Sequence, residues 1–523
     1  MLGILVVFAV AVLLVSLGRG ATKDDPRLTR AEGEAAVLAV PDLATRVKTG
    51  RYDHVKVLPL DDELTRVSFF AGQTVLLDVA VDPRGEIVYR QNYPSNYIRA
   101  GSREAQKPVV LAALAALFAL MTLRLPLRRV ANLDVIALLG LAATIWMLNK
   151  RWFGPSVWVS SPALLYLVVR CCWVGFGRST TLAAEQRPVW DAVSAKLPAA
   201  DARRMLIWIA AGIAALAALV IVPGGSVGDV GFASMSGATA LTDGLTPYGN
   251  VTADIVHGDT YPFLVYLVYV PGALIEPVRD VFDSAESALW IALAAAAVAA
   301  AAIFTAVRRA AGTTAAVRQT IAWISFPPVI VAASGGTNDL VAAAFVALAV
   351  ASIAQAGRST LALSAAAWAK VVPVLIVPLW IGRLRDEGLG RGLIAVAGFS
   401  SAVVAVMLAF GGPGTIGDML HGISFQAARG TVLSLWTTLD SPAAQVAFQS
   451  ALLTLVVVTG VAAWRDRSLA QDPRRVCALA AAITLAMQLA GNYWSYAYLP
   501  WAYPLVAAAL LWPGVREGEG CAD

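Results

Sequence analysis

Charged side chains that interrupt an otherwise apolar chain are the residues best suited to chemistry. A polar stretch at 223–260 contains Asp229, Asp254, His257 and Asp259. A carboxylate within hydrogen-bond reach of a hydroxyl can accept its proton, and a histidine can relay a proton or bind phosphate. The alternatives are a solvated loop acid or helix N-cap for Asp229, and a surface histidine for His257.

Three further charged residues lie between or within apolar runs. Lys370 stands inside an apolar segment, where an ionisable group usually marks function and has a partner, unless it snorkels to the inner surface. Asp339 is its candidate partner or a second acid, although Asn338 and Asp339 also fit the N-cap of the next helix. Arg429 suits bidentate phosphate binding, or is a snorkelling loop arginine.

The composition excludes several protein classes. The 523-residue chain is 58% hydrophobic and 14% charged, with a mean hydropathy of +0.68. Soluble globular proteins carry about 25% charged residues, so a soluble enzyme, a disordered chain and a disulfide scaffold are excluded. The net charge of +5 does not indicate a nucleic-acid partner, because the basic residues form short clusters between apolar runs. A polytopic membrane protein in contact with lipid is predicted.

No metal or cofactor site is predicted from the sequence. The four cysteines form no CxxC pair and are interpreted as small buried hydrophobes. The chain has no HExxH motif and no Cys/His cluster, and the glycine-rich segment 411–417 lacks the Lys-Ser/Thr of a P-loop. The acidic outer loop is compatible with a divalent cation, but nothing in the sequence requires one.

The apolar runs predict an all-α polytopic membrane protein of about twelve transmembrane helices. Two further runs are expected to be re-entrant: 261–275 is short and bounded by prolines, and 360–382 contains Lys370 and two prolines. With both re-entrant, the basic residues of the loops separate most cleanly to one side, which is the positive-inside solution. Both termini are then cytoplasmic, and the loops at 223–287, 412–442 and 491–499 face outward.

A small α/β domain is predicted before the main membrane region. Residues 20–105 are mixed polar, with turn signals and short alternating runs. Thr74–Val81 is predicted as a strand, followed by an Asp-Pro-Arg-Gly turn and a partner strand at Glu86–Arg90. The preceding apolar run lacks a basic n-region and an A-x-A cleavage site, so an anchor helix is favoured over a cleaved signal peptide.

Five motifs occur in order on the predicted outer face. They are Gly228 to Phe232 with Asp243 to Gly249 and Tyr261-Pro-Phe; Gly336-Thr-Asn-Asp339; Lys370-Val-Val-Pro373; Phe425 to Gly430 with Ser434-Leu-Trp436; and Asn492 to Tyr496. Together they resemble the polytopic GT-C glycosyltransferases, most closely the bacterial polyprenyl-phosphate-mannose-dependent mannosyltransferases. The resemblance covers about 204–513, three-fifths of the chain, and leaves residues 1–200 outside it.

The resemblance implies transfer of a sugar from a polyprenyl-phosphate donor to an acceptor hydroxyl, with inversion. By the same resemblance, the expected sugar is mannose, the expected acceptor is an envelope glycan or glycolipid, and the site is expected to face outward from a bacterial plasma membrane. Asp229 takes the position of the general base. Asp254, Asp259 and Asp339 are reserve candidates for the base. The candidates for binding the donor phosphate are Arg429, Lys370 and His257.

The resulting domain organisation has five parts. These are an anchor helix at 1–19, an extracytoplasmic α/β domain at 20–105, a three-helix membrane segment with a cytoplasmic linker at 106–200, a GT-C-like core at 201–515 and a cytoplasmic tail at 516–523. The aromatic turn at 493–498 suits stacking on a sugar or guiding a prenyl chain, or it belongs to an interfacial aromatic belt.

Two other function classes fit the same sequence. A transporter or flippase of a lipid-linked or envelope precursor would explain a broken helix such as 360–382. An envelope scaffold or sensor would use the 20–105 domain as a ligand-binding module, and its hairpin resembles extracytoplasmic modules of the PepSY type. Consumption of a lipid-phosphate sugar separates a transferase from both.

Overall fold

A computed structural model describes residues 28–513, apart from gaps at 60–63, 72–73, 93–101, 103, 151, 178–186, 197, 222, 225–226, 252–257, 280–282, 387 and 429–433. The predicted anchor helix at 1–19 and the tail at 516–523 lie outside the described residues. The described chain is mostly helical with a small N-terminal sheet, which confirms the predicted helical class at this coarser level.

The sheet belongs to the small N-terminal domain. Two helices precede four antiparallel strands in the order β1-β2-β3-β4: α1 Arg30–Leu38, α2 Pro41–Thr49, β1 His54–Pro59, β2 Thr65–Ala71, β3 Thr74–Val81 and β4 Ile87–Asn92. The predicted hairpin is confirmed, because β3 pairs with β4. In its turn, Asp82 Oδ1 accepts the N–H groups of Arg84 and Glu86 at 2.9 and 2.7 Å.

This domain has its own core and also contacts the membrane region. Val37, Val67 and Leu77 are among its fully buried residues, which join the helices to one face of the sheet. On the opposite face of the sheet, Ala80 packs with Phe425, which lies in the helix Gly414–Ala428 of the larger domain. The small domain is therefore docked on a segment that the topology prediction places outside the membrane.

The larger domain consists of helices joined by short turns. Its first helices are α3 Pro108–Thr122, α4 Val130–Asn149, α5 Phe153–Phe176, α6 Val189–Val193, α7 Ala199–Leu216, α8 Asp229–Thr242, α9 Phe263–Ile275, α10 Ser287–Ser325 and α11 Pro327–Ser334. Those that follow are α12 Asp339–Ala351, α13 Ala356–Ala369, α14 Val377–Gly382, α15 Leu389–Gly411, α16 Gly414–Ala428, α17 Leu435–Leu439, α18 Pro442–Arg465, α19 Arg467–Gln471, α20 Pro473–Ala490 and α21 Leu499–Val506. A two-residue strand pair joins β5 Arg124–Leu125 to β6 Arg187–Pro188.

Six helices within the described residues are long and apolar enough to cross a membrane, which supports the predicted membrane class. They are Val130–Asn149, Phe153–Phe176, Ala200–Ile221, Ser287–Ser325, Leu389–Gly411 and Pro442–Arg465. Exposed apolar side chains such as Ile136, Trp208 and Ile394 give these helices lipid-compatible surfaces. The count of twelve spans stays a prediction, because the other apolar helices are shorter.

Helix α10 is a hairpin rather than a straight rod. Gly312 has φ 82° and ψ 173°, values outside the helical region, so the chain turns there. Trp323 Nε1 donates to Ala296 O at 3.0 Å, and Gly336 lies against Ala288, so the two arms run antiparallel. The predicted pair of segments at 288–306 and 319–334 is therefore present, but the second breaks at Phe326, ahead of two prolines.

The chain reverses direction twice along helices α12, α13 and α14, first between α12 and α13 and again between α13 and α14. Ser359 Oγ donates to Ala349 O at 2.9 Å, which joins one end of α12 to the start of α13. Arg383 Nη2, just after α14, donates to Ile353 O at 2.7 Å. The segment 356–382 therefore leaves the bundle at the end where it entered, which is the path expected of a re-entrant segment.

Helix α20 lies at the centre of the bundle. From Arg475 to Ala490 its residues are buried, except for the half-buried Met487. Gly175 of α5 lies directly against Leu479, because a side chain on this glycine would overlap the leucine. With 18 residues at about 1.5 Å each, α20 is about 27 Å long and connects the two ends of the bundle.

Candidate functional site

A buried ion pair lies where the chain breaks between α13 and α14. Lys370 Nζ is 3.1 Å from Asp339 Oδ1, and the two side chains are 14% and 1% exposed. The contact is electrostatic rather than a well-aligned hydrogen bond, because Oδ1 has no donor in hydrogen-bond geometry. The predicted pairing of Lys370 with Asp339 is therefore confirmed, and the alternative that Lys370 snorkels to the inner surface is wrong.

The local sequence explains this position of Lys370. Lys370 ends α13 in an extended conformation, with φ −143° and ψ 136°. Pro373 and Pro378 supply no backbone N–H, so the apolar segment cannot continue as one regular helix. Asp339 is the first residue of α12, and α12 and α13 pack side by side, so both charges lie at the open end of that helix pair.

Aromatic rings surround the ammonium group. Lys370 Nζ is 5.0 Å from the ring centre of Tyr261 and 5.8 Å from that of Tyr498. Both distances are within the range of a cation–π interaction, which is strongest when water is excluded. The Trp501 indole lies beside the Asp339 carboxylate, although its N–H is not in hydrogen-bond geometry. The pair therefore has aromatic rings on several sides.

Asp229 stands at the exposed start of α8. It is the first helical residue, after Gly228 as N-cap, and its Oδ1 accepts the Val230 N–H at 2.8 Å. Among the described residues this is the one hydrogen bond that its side chain makes. The carboxylate is therefore available on its solvent side. The N-cap alternative is wrong, whereas that of a solvated acid agrees with its exposure.

The start of α8 packs directly on the turn that carries Asp339. Gly228 N–H donates to Gly335 O at 2.9 Å, and Asn338 Nδ2 donates to Ser234 Oγ at 3.0 Å. A Cβ on Gly231 would lie 2.6 Å from Gly336 O, so only glycine allows this approach. Two motifs about a hundred residues apart in sequence thus form one packed unit.

The same contacts show whether Asn338 and Asp339 cap the start of α12 with their side chains. Asn338 occupies the N-cap position, but its side chain makes no cap hydrogen bond. Its amide instead reaches Ser234 on α8, and the Asp339 carboxylate faces Lys370. The Asn-Asp pair therefore joins three elements. The predicted N-cap position is confirmed for Asn338, but its side chain does not cap the helix.

The aromatic turn closes another side of this region. Tyr496 lies within electrostatic range of Asp229, and Tyr493 and Tyr498 have ring centres 5.9 Å apart. Gln488 Nε2 donates to Tyr498 O at 3.2 Å, which holds the turn at the end of α20. The turn thus contacts Lys370 through Tyr498 and lies near Asp229, which favours a role beyond an interfacial belt.

Two other described acids of the outer loop at 223–287 make structural contacts. Asp259 Oδ2 accepts the Gly249 N–H at 2.9 Å and so closes the loop before α9. Asp243 pairs with Arg279, whose Nη2 and Nε lie 2.7 and 3.0 Å from its two oxygens. The hydrogen bonds from Arg279 lower the pKa of Asp243. The partners of both carboxylates are thus loop residues rather than Lys370 or Asp339.

Three of the predicted site residues lie outside the described residues: Asp254, His257 and Arg429. Within the described part of the chain, no three His, Cys, Asp or Glu side chains are grouped closely enough to hold a metal ion. The structure therefore brings together Asp229, Asp339 and Lys370 from the predicted set, and it assigns Asp259 to a loop.

Two contributors to the site were not predicted as site residues. Tyr261 was noted within its Tyr-Pro-Phe motif, and Trp501 follows the aromatic turn, but neither had a predicted role. Their contacts with Lys370 and Asp339 join residues more than a hundred positions apart. The available signal was the position of Tyr261 just before a proline that starts an apolar helix.

Comparisons of the chain with protein-family models, with characterised proteins and with solved structures found no match. The chemistry must therefore follow from the site itself. An exposed carboxylate at a helix N-terminus can accept a proton, and a lysine among aromatic rings can attract a phosphate.

Proposed function

We propose that this protein is a membrane glycosyltransferase that acts at the outer face of a bacterial plasma membrane. It moves a sugar, mannose by the resemblance, from a polyprenyl-phosphate donor to an acceptor hydroxyl on an envelope lipid or glycan, with inversion. The observation that carries this proposal is the convergence of Asp229, Asp339, Lys370 and two tyrosines on one packed unit.

Lys370 is assigned to the phosphate of the donor. The leaving group of this reaction is a polyprenyl phosphate, whose negative charge grows as the glycosidic bond breaks. A lysine held in one place by Asp339 loses little freedom when it binds, so its charge is already oriented for the transition state. In this assignment Asp339 is a positioning residue rather than a proton acceptor.

Asp229 is assigned as the general base. Its solvent-exposed oxygen can accept the proton of the acceptor hydroxyl while that oxygen attacks the anomeric carbon. Inversion requires the base and the leaving group on opposite faces of the sugar. Asp229 on α8 and Lys370 after α13 flank the same turn from different elements, which supports this division of roles.

The test is a transfer assay with purified protein in lipid. Radiolabelled polyprenyl-phosphate-mannose and a cell-envelope lipid extract are supplied, and labelled product is measured for wild type, Asp229→Asn and Asp243→Asn. We expect Asp229→Asn to lower transfer by about 10²–10⁴-fold, the usual contribution of general acid–base catalysis. Asp243→Asn is the matched control, because it changes an exposed acid of the same outer segment.

The outcomes separate the class from the residue. Equal product from wild type and Asp229→Asn would keep the transferase and remove Asp229 as base. No product from wild type with mannose or arabinose donors would reject the proposed function.

One observation favours a transporter or flippase as the second candidate. The helix–break–helix segment 356–382, with a charged residue at its break, is the kind of element that forms substrate sites in transporters. A transporter would move the lipid-linked precursor across a vesicle membrane without consuming it. Recovery of unaltered donor on the opposite side of the vesicle would support this candidate.

A further inference from the structure

The small N-terminal domain turns one face of its sheet toward the larger domain. Alternate strand residues such as Val79 pack on the domain's own helices. Ser68, Phe70 and Ala80 belong to the opposite face, yet they are only 1%, 4% and 1% exposed. Phe70 joins the main core of the larger domain, and Ala80 packs with Phe425. The larger domain therefore covers this face, and we call Ser68, Phe70 and Ala80 the docking face.

Helix α16 joins the docking face to the loop that carries Tyr261. Gly422 precedes Phe425 by three residues, so the two lie on the same side of the helix in successive turns. A Cβ on Gly422 would lie 3.0 Å from Thr260 Cα and 3.1 Å from Asp259 O. The backbone of α16 therefore packs tightly on the loop, one turn away from its contact with the small domain.

The same loop is fastened to α16 through two buried tyrosines. Tyr248 Oη donates to Tyr261 O at 3.0 Å, and Tyr266 Oη donates to Gly258 O at 3.1 Å. Both tyrosine rings pack in one cluster with Met419, which lies a further turn back along α16. The position of the Tyr261 ring, and with it the aromatic contact of the ammonium group at 5.0 Å, therefore depends on where α16 lies.

A second attachment joins the end of the small domain to another part of the site. Ser102 follows the domain in sequence and is fully buried. Its N–H donates to Ser334 Oγ at 2.9 Å. The next residue, Gly335, accepts the N–H of the residue just before Asp229. The small domain is thus attached at two places, through α16 to the loop of Tyr261 and through this serine to the turn beside Asp229.

We propose that the small N-terminal domain is a positioning module for the phosphate-binding part of the candidate site. By docking on α16 it holds Tyr261 against Lys370, and an ammonium group that is already oriented loses less freedom when a phosphate binds. Phe425 and Gly422 are positioning residues in this arrangement, because they act through Tyr261. The inference rests on the proposed function for its ligand, a polyprenyl phosphate, whereas the contacts that carry it do not.

The test compares the affinity of the full chain and its variants for undecaprenyl phosphate. Wild type, Phe425→Ala and Leu420→Ala are titrated in detergent, and bound lipid is counted by native mass spectrometry. We expect Phe425→Ala to bind about tenfold more weakly, the size of effect expected when a cation–π contact is lost. Leu420→Ala is the matched control, because Leu420 lies on the same helix but is 42% exposed. Equal affinities of wild type and Phe425→Ala would overturn the proposal.

A double-mutant cycle separates positioning from a general loss of structure. Tyr261→Ala removes the ring, so Phe425→Ala should weaken binding no further in that background. Tyr261→Phe keeps the ring and should bind nearly as well as wild type. Independent, additive losses from Phe425→Ala and Tyr261→Ala would contradict the proposal.

Hydrogen–deuterium exchange at 258–261 supplies a measurement that needs no ligand. Exchange there should rise in Phe425→Ala and stay unchanged in Leu420→Ala, because only the first variant releases α16 from the docking face. If wild type binds no polyprenyl phosphate, the proposed function fails, while this rise in exchange would still support the positioning role. Equal exchange in the two variants would overturn it.

A variant on the other side of the contact guards against misfolding of the helix. If Phe425→Ala fails to fold, Ala80→Lys changes the docking face instead and leaves the neighbouring Val79 and Val81 in the core of the small domain. The same weaker binding and faster exchange are expected from it. Wild-type values for both measurements in Ala80→Lys would reject the positioning role.

Discussion

Two ion pairs of this protein differ in burial more than in distance. Arg279 and Asp243 form a two-point contact at 2.7 and 3.0 Å on the outer loops, with side chains 59% and 37% exposed. Lys370 and Asp339 meet at 3.1 Å in poorer geometry, yet they are 14% and 1% exposed. The Arg279–Asp243 pair has the better geometry, but it is exposed, so water can solvate each charge and salt can screen their attraction.

The difference teaches where a charge costs most to disturb. An exposed ion contributes little when its partner is removed, because water takes the partner's place. A buried ion left alone keeps its desolvation penalty, which is larger than the net benefit of the pair. Separating Lys370 from Asp339 would leave one buried charge without its partner, and this cost keeps the pair together. The Lys370 ammonium group therefore stays in place at the helix break.

The largest expected effect comes from removing one member of the buried pair. Lys370→Met and Asp339→Leu should each destabilise the protein by about 3–5 kcal/mol, because each leaves an uncompensated buried charge. The double variant should recover most of the lost stability while transfer activity stays absent. Thermal unfolding midpoints in detergent, read with the transfer assay, measure both effects. A double variant as unstable as the single variants would contradict the pair as a stabilising unit.

A smaller effect is expected from the glycine contact beneath the pair. Gly231→Ala places a Cβ 2.6 Å from Gly336 O, so the turn that carries Asp339 must move. We expect a loss of about 1–3 kcal/mol, the usual cost of overpacking, together with reduced activity. Gly212→Ala is the control, because a Cβ there meets nothing within 4 Å. Unfolding midpoints of the two variants are compared, and equal midpoints would exclude the close contact.

The smallest effect is expected at the exposed pair. The pKa of Asp243 is lowered by Arg279, so the stability it contributes is present above the ordinary carboxyl pKa of about 4 and lost as the pH falls further. Arg279→Gln should remove this dependence and change little near neutral pH. Unfolding midpoints of wild type and variant between pH 3 and pH 8 test it. A large loss at pH 7 in the variant would show that exposure does not weaken this pair.

The sequence predicted those parts of the fold that depend on local pattern. The strand Thr74–Val81 and its turn follow from alternation and turn residues that lie next to one another. The two arms around Gly312 follow from apolar runs separated by arginines. The break at Phe326 was missed, because an apolar run does not reveal that two prolines end one helix and begin another.

The candidate site was predictable as far as general rules about charge allow. An ionisable residue in an apolar segment needs a partner, and Asp339 was named as the candidate partner of Lys370 or as a second acid; the structure shows it as the partner. The contacts of Tyr261 and Trp501 depend on how distant helices pack, which no local pattern records. The close approach of Gly231 to Gly336 likewise becomes visible only in three dimensions.

The burial of α20 has a consequence for how the protein responds to its membrane. Helices that face lipid adjust to bilayer thickness by tilting, at a modest cost for each ångström of mismatch. Helix α20 is surrounded by protein from Arg475 to Ala490, so the bilayer does not act on it directly. The spacing between Arg475, in the first turn of α20, and the aromatic turn at 493–498 is therefore set by protein packing, and it should stay constant in thin and thick membranes.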